Sequence, residues 1–171
     1  MIDIHRATSQ SDLDATRTLM RAYVEWVRAA SPEDKEKDDL YFDHAGFEKD
    51  LAGLPGKYDG PKGSLLIAYY YGQPVGCVAS QEMDAEFSEM KRMFVSPECH
   101  GRGIGRALAN RVISEAVGSG YRGIRLDTTR SLKQAVSLYE SLGFRQVPAY
   151  YEIPPELEGW LVFYELKFAA S

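Results

Sequence analysis

The residues best suited to chemistry lie in one short glycine-rich stretch, SPECHGRGIGRAL, from Ser96 to Leu108. It places glycines at alternate positions, Gly101, Gly103 and Gly105, directly before an apolar run with helical spacing. Glycines in this setting let a backbone approach a ligand closely, and the positive end of a helix attracts anions. The stretch therefore indicates either a site for a phosphate-bearing ligand or a turn that only starts a helix.

Two common phosphate-binding motifs do not fit this stretch. The loop of nucleoside triphosphatases needs two glycines with four residues between them, then Lys and Ser or Thr. Gly101 and Gly105 have three residues between them, and no such pair follows. The dinucleotide motif needs Gly or Ala in its last position, where this chain has Arg106 or Leu108, depending on the register. Neither a triphosphate nor a dinucleotide is favoured.

The loop HGRGIG instead resembles the Q/R-x-x-G-x-G/A motif of the GNAT superfamily, the acyl-CoA-dependent N-acetyltransferases. A second stretch, SLKQAVSLYESLGF, is similar to the N-x-x-A-x-x-L-Y-E-x-L-G-F pattern of the same superfamily, with Leu132 in place of the Asn. The two motifs cover 89–144, and the order of elements extends the likeness over the chain. His100 stands where the family usually has Arg or Gln, and its charge depends on pH.

The resemblance implies acetyl-CoA as the cosubstrate, without a metal, and indicates which residues bind it. In the family, the loop and first helical turn present N–H groups to the CoA pyrophosphate, and the preceding strand pairs with the pantetheine arm. The N–H of Phe94 or Val95 is then the expected donor to the reacting carbonyl oxygen. The expected cofactor-binding residues are Met93, Phe94, Val95, His100, Gly101, Arg102, Gly103, Ile104, Gly105, Arg106, Leu132 and Ala135.

Two side chains are expected to carry the acetyl transfer, which needs a base for the ammonium and an acid for the leaving thiolate. The resemblance places Tyr139 opposite the CoA sulfur as the acid, although core packing is the alternative role for a helical Tyr. Glu89 matches a base found in some family members, and a surface carboxylate paired with Lys91 or Arg92 is the alternative. Three other acids in the adjacent turn compete for the role of base: Glu82, Asp84 and Glu86.

A strand, a loop and two helices must bring these residues together. Strand alternation predicts Glu89, Lys91, Met93 and Val95 on one face of a strand. Hydrophobic periodicity predicts the element order βααβββαβαββ, with the charged run SPEDKEKDD as a solvated break. The expected fold class is α/β (α+β): a GNAT fold with a mixed, mostly antiparallel twisted sheet of six to seven strands and about four helices. The sheet is expected to splay after KRMFV, at the acetyl-CoA site.

Length and composition predict a single domain over residues 1–171, with 44% hydrophobic and 26% charged residues. The net charge of -5 argues against a general nucleic-acid surface. The chain shows no apolar signal region and no run of membrane-spanning length, which predicts a cytoplasmic protein without membrane contact. Two cysteines without C-x-x-C spacing are expected to be reduced, and no residue cluster has metal-ligand spacing.

Together these features predict transfer of an acetyl (acyl) group from acetyl-CoA to a primary amine, of a small molecule in the simplest case. Direct attack in a ternary complex is expected because no activated nucleophile is visible. A protein amine as acceptor, a catalytically weak CoA-binding sensor and a nucleotide-binding domain remain alternatives. The resemblance also suggests a homodimer. Aromatic side chains at Tyr150, Tyr151 and Trp160 offer a surface for the ammonium of the acceptor.

Overall fold

The computed structural model describes residues 1–44 and 46–170. In that part of the chain, seven strands form one sheet: β1 (Ile2–Arg6), β2 (Ser64–Tyr70), β3 (Gln73–Glu82), β4 (Phe87–Val95), β5 (Gly123–Thr129), β6 (Arg145–Val147) and β7 (Leu161–Lys167). The α-helices are α1 (Gln10–Ala30), α2 (Lys35–His44), α3 (Phe47–Ala52), α4 (Ile104–Gly118) and α5 (Lys133–Ser141).

The sheet is mixed and mostly antiparallel, as predicted. Its strand order is β1-β2-β3-β4-β5-β7-β6, and only the β4–β5 pair is parallel. Alternate residues of β2 enter two different cores, because successive side chains of a strand point to opposite faces. Leu66 packs beneath α4, with Leu108. Leu65 packs beneath α1, with Met20.

The two central strands, β4 and β5, separate along the half of β4 that leads into the glycine-rich loop. Pairing of β4 with β5 ends at Glu89 opposite Arg125, although both strands continue. The splay therefore begins before KRMFV, and the predicted position after it was wrong. A bulge accompanies the splay, because the pairing with β3 shifts between Cys77 and Ala79 and Arg92 has a φ of 59°.

This bulge also reverses the face on which the β4 side chains lie. Lys91 pairs with Ala79, which belongs to the core beneath α1. Met93 and Val95 pack against the opposite core, beneath α4. The prediction of one common face for 89, 91, 93 and 95 was wrong, because the residue added by a bulge breaks the two-residue alternation.

Helix α2 occupies part of the run predicted as a solvated break, so the order is βαααβββαβαββ. Lys35 and Asp39 form an ion pair one turn apart, with Nζ and Oδ2 2.7 Å from each other. Phe42 is buried against Tyr23 and Phe47, with ring centroids at 5.9 Å and 5.4 Å. The helix depends on these distant partners, which the local charge pattern does not reveal.

Asp38 is buried within α2 and gives the fold a pH-dependent stability. The residue is 1% exposed, and among the described residues its Oδ2 has no hydrogen-bond partner. Burial, together with Asp34 and Asp39, raises the pKa of Asp38 from 3.8 to about 6. The folded state therefore holds this proton more tightly than the unfolded state. The free energy of unfolding falls as the pH rises from about 4 to about 6, and this loss persists above that range.

We expect Asp38→Asn to raise the free energy of unfolding at about pH 8 by on the order of 2 kcal/mol. The effect should be small at about pH 4, where the native carboxyl is neutral. Urea unfolding at both pH values measures the difference. Asp39→Asn is the matched control, because Lys35 and Arg28 lower the pKa of Asp39, so this change removes favourable ion pairs. Equal effects of Asp38→Asn at both pH values would contradict the prediction.

Candidate active site

A groove of about 300 Å³ runs beside the splayed end of β4, over the start of α4. Most of the predicted site residues line it: Met93, Phe94, Val95, His100, Gly101, Gly103, Ile104, Gly105, Arg106, Ala135 and Tyr139. The strand, loop and two helices therefore meet as the motifs predicted. Trp26, Cys99, Gln134 and Leu138 also line the groove; they were not predicted as binding residues.

The glycines prepare the start of α4 for an anion. Gly103 is the N-cap, with a φ of 80°, and contributes no side-chain hydrogen bond to the helix. Gly101 has a φ of 78°, which side-chain-bearing residues rarely adopt. The first turn of α4 contains no acidic residue, and Arg106 lies in it. Free N–H groups, a helix N-terminus and a cation at one groove wall fit a diphosphate group.

The remaining predicted cofactor residues take different positions. Arg102 donates a hydrogen bond from Nη1 to the Tyr70 hydroxyl at 3.2 Å and does not line the groove. Leu132 is buried and lines a neighbouring cavity instead. His100 lies in the groove, with Nε2 2.8 Å from the carbonyl oxygen of Val95. Its ring meets Trp26 edge-on, at 5.9 Å.

A second, smaller cavity of about 50 Å³ adjoins the groove. Both are lined by Trp26, Met93, Ala135 and Tyr139, so these side chains form the boundary between them. The smaller cavity is further lined by Tyr23, Tyr41, Met90, Lys91, Arg92, Leu126, Asp127, Thr128 and Leu132. The site therefore has one extended compartment and one compact compartment that meet at Tyr139.

Tyr139 is buried at this boundary, and its ring packs against Phe144 with centroids 5.7 Å apart. No hydrogen bond joins its hydroxyl to another part of the described chain. Burial raises the pKa of the phenol well above its ordinary value, and the nearby Tyr23 and Asp127 raise it further. The hydroxyl therefore keeps its proton at neutral pH and can donate it.

Glu89 is buried beside the smaller cavity without lining it. Its Oε2 accepts a hydrogen bond from the Tyr150 hydroxyl at 2.7 Å, and its Oε1 accepts one from Gln81 at 2.8 Å. Lys91 Nζ lies 3.7 Å from Oε1. Glu89 is therefore not the surface carboxylate of the alternative interpretation, although it does pair with Lys91 as that alternative expected.

Asp127 is a site residue that the sequence analysis did not single out. It accepts hydrogen bonds from Tyr41 at Oδ1, 2.6 Å, and from Tyr151 at Oδ2, 2.7 Å. Lys91 Nζ lies 3.8 Å from Oδ2. Through these two hydrogen bonds, Asp127 connects α2 and the loop after β6 to the sheet. Its position on β5, the strand next to β4, is the sequence feature from which a site role could have been predicted.

None of the three residues of the predicted aromatic wall lines the groove or the compact cavity. Tyr150 and Tyr151 point their hydroxyls at the two buried acids, Glu89 and Asp127. Burial and the charge of Asp127 raise the pKa of both phenols well above the usual range. Trp160 packs with Leu157 and Phe163 in a small core, and Tyr150 and Tyr151 pack against the same core.

Three further features bear on the predicted chemistry. Within 1–44 and 46–170, no group of three or more His, Cys, Asp or Glu side chains is placed to hold a metal ion. Over the same ranges, every helix is too short or too polar to cross a membrane. Cys77 and Cys99 are free, buried thiols, and burial raises the pKa of Cys77 to about 12.

A splayed mixed sheet and an uncapped, glycine-rich helix start define the chain as an acyl-CoA-dependent transferase, and comparison with known proteins agrees. The model of the Acetyltransferase (GNAT) family matches residues 20–144. The chain therefore belongs to the GNAT family, and the predicted class, fold and acetyl-CoA cosubstrate are confirmed.

Individual relatives support the same assignment. The chain is 32% identical over 155 residues to an uncharacterized N-acetyltransferase of Schizosaccharomyces pombe, covering 90% of this chain and 88% of that protein. It is 41% identical over 100 residues to N-acetylaspartate synthetase of Danio rerio, covering 57% of this chain but 36% of that enzyme. The PaiA N-acetyltransferase of Thermoplasma acidophilum, solved with coenzyme A, shares the fold with a TM-score of 0.76 at 20% identity, over 98% and 99% of the two chains.

Proposed function

We propose that this protein transfers an acetyl group from acetyl-CoA to the primary amine of a small molecule, by direct attack within a ternary complex. The observation that carries this proposal is the boundary at Tyr139, where an extended groove meets a compact cavity. Two substrates held in adjoining compartments can react directly, without an intermediate on the enzyme.

The donor is proposed to lie in the groove. The N–H groups at the start of α4 would bind its diphosphate, with Arg106 adding positive charge. The backbone of Met93 to Val95, freed from β5 by the splay, would pair with the pantetheine amides. The N–H of Phe94 or Val95 would donate to the carbonyl oxygen as negative charge develops there.

The proposed reaction forms one bond and breaks one. The neutral amine nitrogen attacks the thioester carbonyl carbon, and the C–S bond breaks to release the CoA thiolate. Tyr139 donates its phenolic proton to that thiolate. A base takes one proton from the ammonium before attack, and the attacking nitrogen loses a second proton to solvent once the C–N bond has formed. Solvent returns one proton to the tyrosinate, so the products are the amide, free CoA and one net proton.

Glu89 is the proposed base, although it reaches the small cavity only through its neighbours. Lys91, which lines the cavity, lies 3.7 Å from its Oε1. A water molecule or a neighbouring side chain must therefore carry the proton to it. This indirect route makes the pH dependence of the rate the decisive measurement.

We expect Glu89→Gln to lower kcat/KM by about 100-fold at about pH 6.5 but by less than about tenfold at about pH 9. The loss is larger at low pH because more of the amine is protonated there and needs a base. Glu165→Gln is the matched control, since Glu165 pairs with Arg125 away from both compartments. An equal loss at every pH would assign Glu89 a structural role.

A small-molecule acceptor is supported by the size of the compact cavity, about 50 Å³, which admits only a few non-hydrogen atoms. The vertebrate relatives at 36–41% identity bear the name N-acetylaspartate synthetase, which indicates an amino-acid acceptor in those proteins. A lysine of a protein is the competing acceptor.

An assay of CoA release from acetyl-CoA tests the proposal with a panel of small amines and lysine-containing peptides. Stimulation by small amines, with intersecting initial-velocity lines, is expected for a ternary complex. Parallel lines would indicate an acyl-enzyme, with Cys99 as the nucleophile available in the groove. CoA binding without release on any amine would instead identify a sensor, and release on peptides alone would identify a protein acetyltransferase.

A further inference from the structure

Lys91 contributes unused hydrogen-bond donors to the wall of the compact cavity. Its side chain is 13% exposed, and Nζ lies 3.7 Å from Glu89 Oε1 and 3.8 Å from Asp127 Oδ2. Both distances exceed a hydrogen bond. Across the part of the chain that is described, the ammonium has ion-pair neighbours but no hydrogen-bonded acceptor.

Arg92 contributes a second cation to the wall of the compact cavity. Its side chain is 2% exposed, and Nη2 donates to Asp50 Oδ2 at 3.2 Å while the guanidinium lies 4.9 Å from the centre of the Phe47 ring. Its Nε is buried and has no hydrogen-bond partner in residues 1–44 and 46–170. An unmatched buried donor on a charged group is costly unless something occupies it.

The acids of the site have no comparable unused capacity. Both oxygens of Asp127 accept short hydrogen bonds from tyrosine hydroxyls, and both oxygens of Glu89 are also bonded. All four donors are neutral side chains. Among the charged side chains that line this cavity, Lys91 has no hydrogen-bonded partner in the described residues, and its free donors suit an anionic acceptor group.

The surrounding charges balance without any ligand. At the cavity, two cations, Lys91 and Arg92, stand against two carboxylates, Asp127 and Glu89. Behind Arg92, the Asp50 carboxylate is also paired with the half-exposed Lys57. A plain ammonium ion would add an uncompensated positive charge to this buried cluster, which is unfavourable. A zwitterion carries both signs and leaves the balance unchanged.

We infer that the acceptor is a free amino acid, whose carboxylate binds Lys91 Nζ while its amine faces Tyr139. This inference rests on the proposed function and specifies its substrate class. A carboxylate matches the unused donors of Lys91, because it is anionic and accepts charge-assisted hydrogen bonds. In an α-amino acid only two or three bonds separate the amine nitrogen from the carboxylate, and a group of this length suits a cavity of about 50 Å³.

The wild-type enzyme provides the first test. Each of several amino acids, with alanine, aspartate and glutamate among them, is compared with its α-carboxamide and its decarboxylated amine. We expect kcat/KM to be at least about 100-fold higher for the α-carboxylates, because an unmatched buried donor strongly disfavours the analogue that lacks its partner. Carboxamides that react as well as the acids would overturn the inference and leave the proposed amine transfer intact.

Variants of Lys91 provide the second test. In Lys91→Met we expect the preference for the acid over its carboxamide to fall from at least about 100-fold towards about threefold, mainly through a higher KM for the acid. Lys91→Arg should keep most of the preference, since it preserves the cation. Lys167→Met is the matched control, because Lys167 lies on β7 with a side chain 76% exposed.

The outcomes separate this inference from the proposed function. CoA titration and circular dichroism first establish that Lys91→Met folds and binds the donor; if it does not fold, the comparison of wild-type acceptors decides alone. An unchanged acid preference in a folded Lys91→Met would overturn the role of Lys91. Acetylation only of peptides with acidic N-terminal side chains would overturn the free amino acid. CoA release on no acceptor at all would overturn the proposed function itself.

Discussion

Replacing Tyr139 with Phe is expected to lower kcat by about 100- to 1,000-fold while changing CoA affinity by less than about twofold. Tyr139 lines both the groove and the compact cavity, and in the proposed reaction the leaving thiolate needs a proton. Burial raises the pKa of the phenol, so the proton is present throughout the working pH range. The thiolate then leaves as a thiol rather than as a buried anion.

This substitution separates chemistry from folding. The Tyr139 hydroxyl has no hydrogen-bonded neighbour in the described residues, so its removal breaks no contact of the fold. The ring contact with Phe144 is retained in the variant. Single-turnover kinetics, together with calorimetric CoA binding, measures the two effects independently.

Tyr121→Phe is the matched control for this experiment. Tyr121 donates a hydrogen bond to the Lys62 carbonyl oxygen and lies outside both compartments. Its loss can reduce stability but should leave kcat within about twofold of wild type. If kcat in Tyr139→Phe were also near wild type, Tyr139 would be a packing residue and another group or solvent would protonate the thiolate.

Most of the residues that line the groove could be predicted from the sequence, because this part of the candidate site is local. The strand end, the glycine-rich loop and the start of α4 lie within Met93 to Arg106 and are adjacent in space because they are adjacent in sequence. The second motif added Ala135 and Tyr139 at the fixed spacing of α5. Short-range spacing and backbone conformation therefore contained most of the information for this half.

The acceptor side could not be predicted in the same way, because it is assembled from distant elements. Tyr41 from α2 and Tyr151 from the loop after β6 meet at Asp127, with sequence separations of 86 and 24 residues. The bulge at Arg92 shifts the following side chains of β4 to the other face, so Lys91 lines only the compact cavity whereas Met93 also lines the groove. No local sequence pattern indicates the contacts of these tyrosines with Asp127 or the bulge in β4.

A substitution at Gly105 tests the proposed cofactor groove directly. It changes the room available for a ligand in the groove and the stability of helix α4 in opposite directions. A Cβ at this position would lie 3.5 Å from Leu138 Cδ2 and 3.8 Å from Val95 Cγ2, which are ordinary contacts. Both neighbours line the groove. A larger side chain at 105 would therefore extend into the groove without colliding with the core.

We expect Gly105→Leu to weaken CoA binding by about 100-fold, or about 2.7 kcal/mol, while the melting temperature stays equal or rises. Leucine stabilises a helical position relative to glycine by about 0.7 kcal/mol, and residue 105 lies in the first turn of α4. Calorimetric titration with CoA and thermal unfolding without it measure the two quantities.

Gly118→Leu is the matched control, at the opposite end of the same helix, where a Cβ would meet nothing within 4 Å. It changes helix propensity in the same direction but leaves the groove open, so CoA affinity should match wild type. If Gly105→Leu bound CoA normally, the donor could not lie across this helix start, and Arg106 and Gly103 would lose their proposed roles with it. If both variants lost affinity together, the effect would come from the helix as a whole rather than from space in the groove.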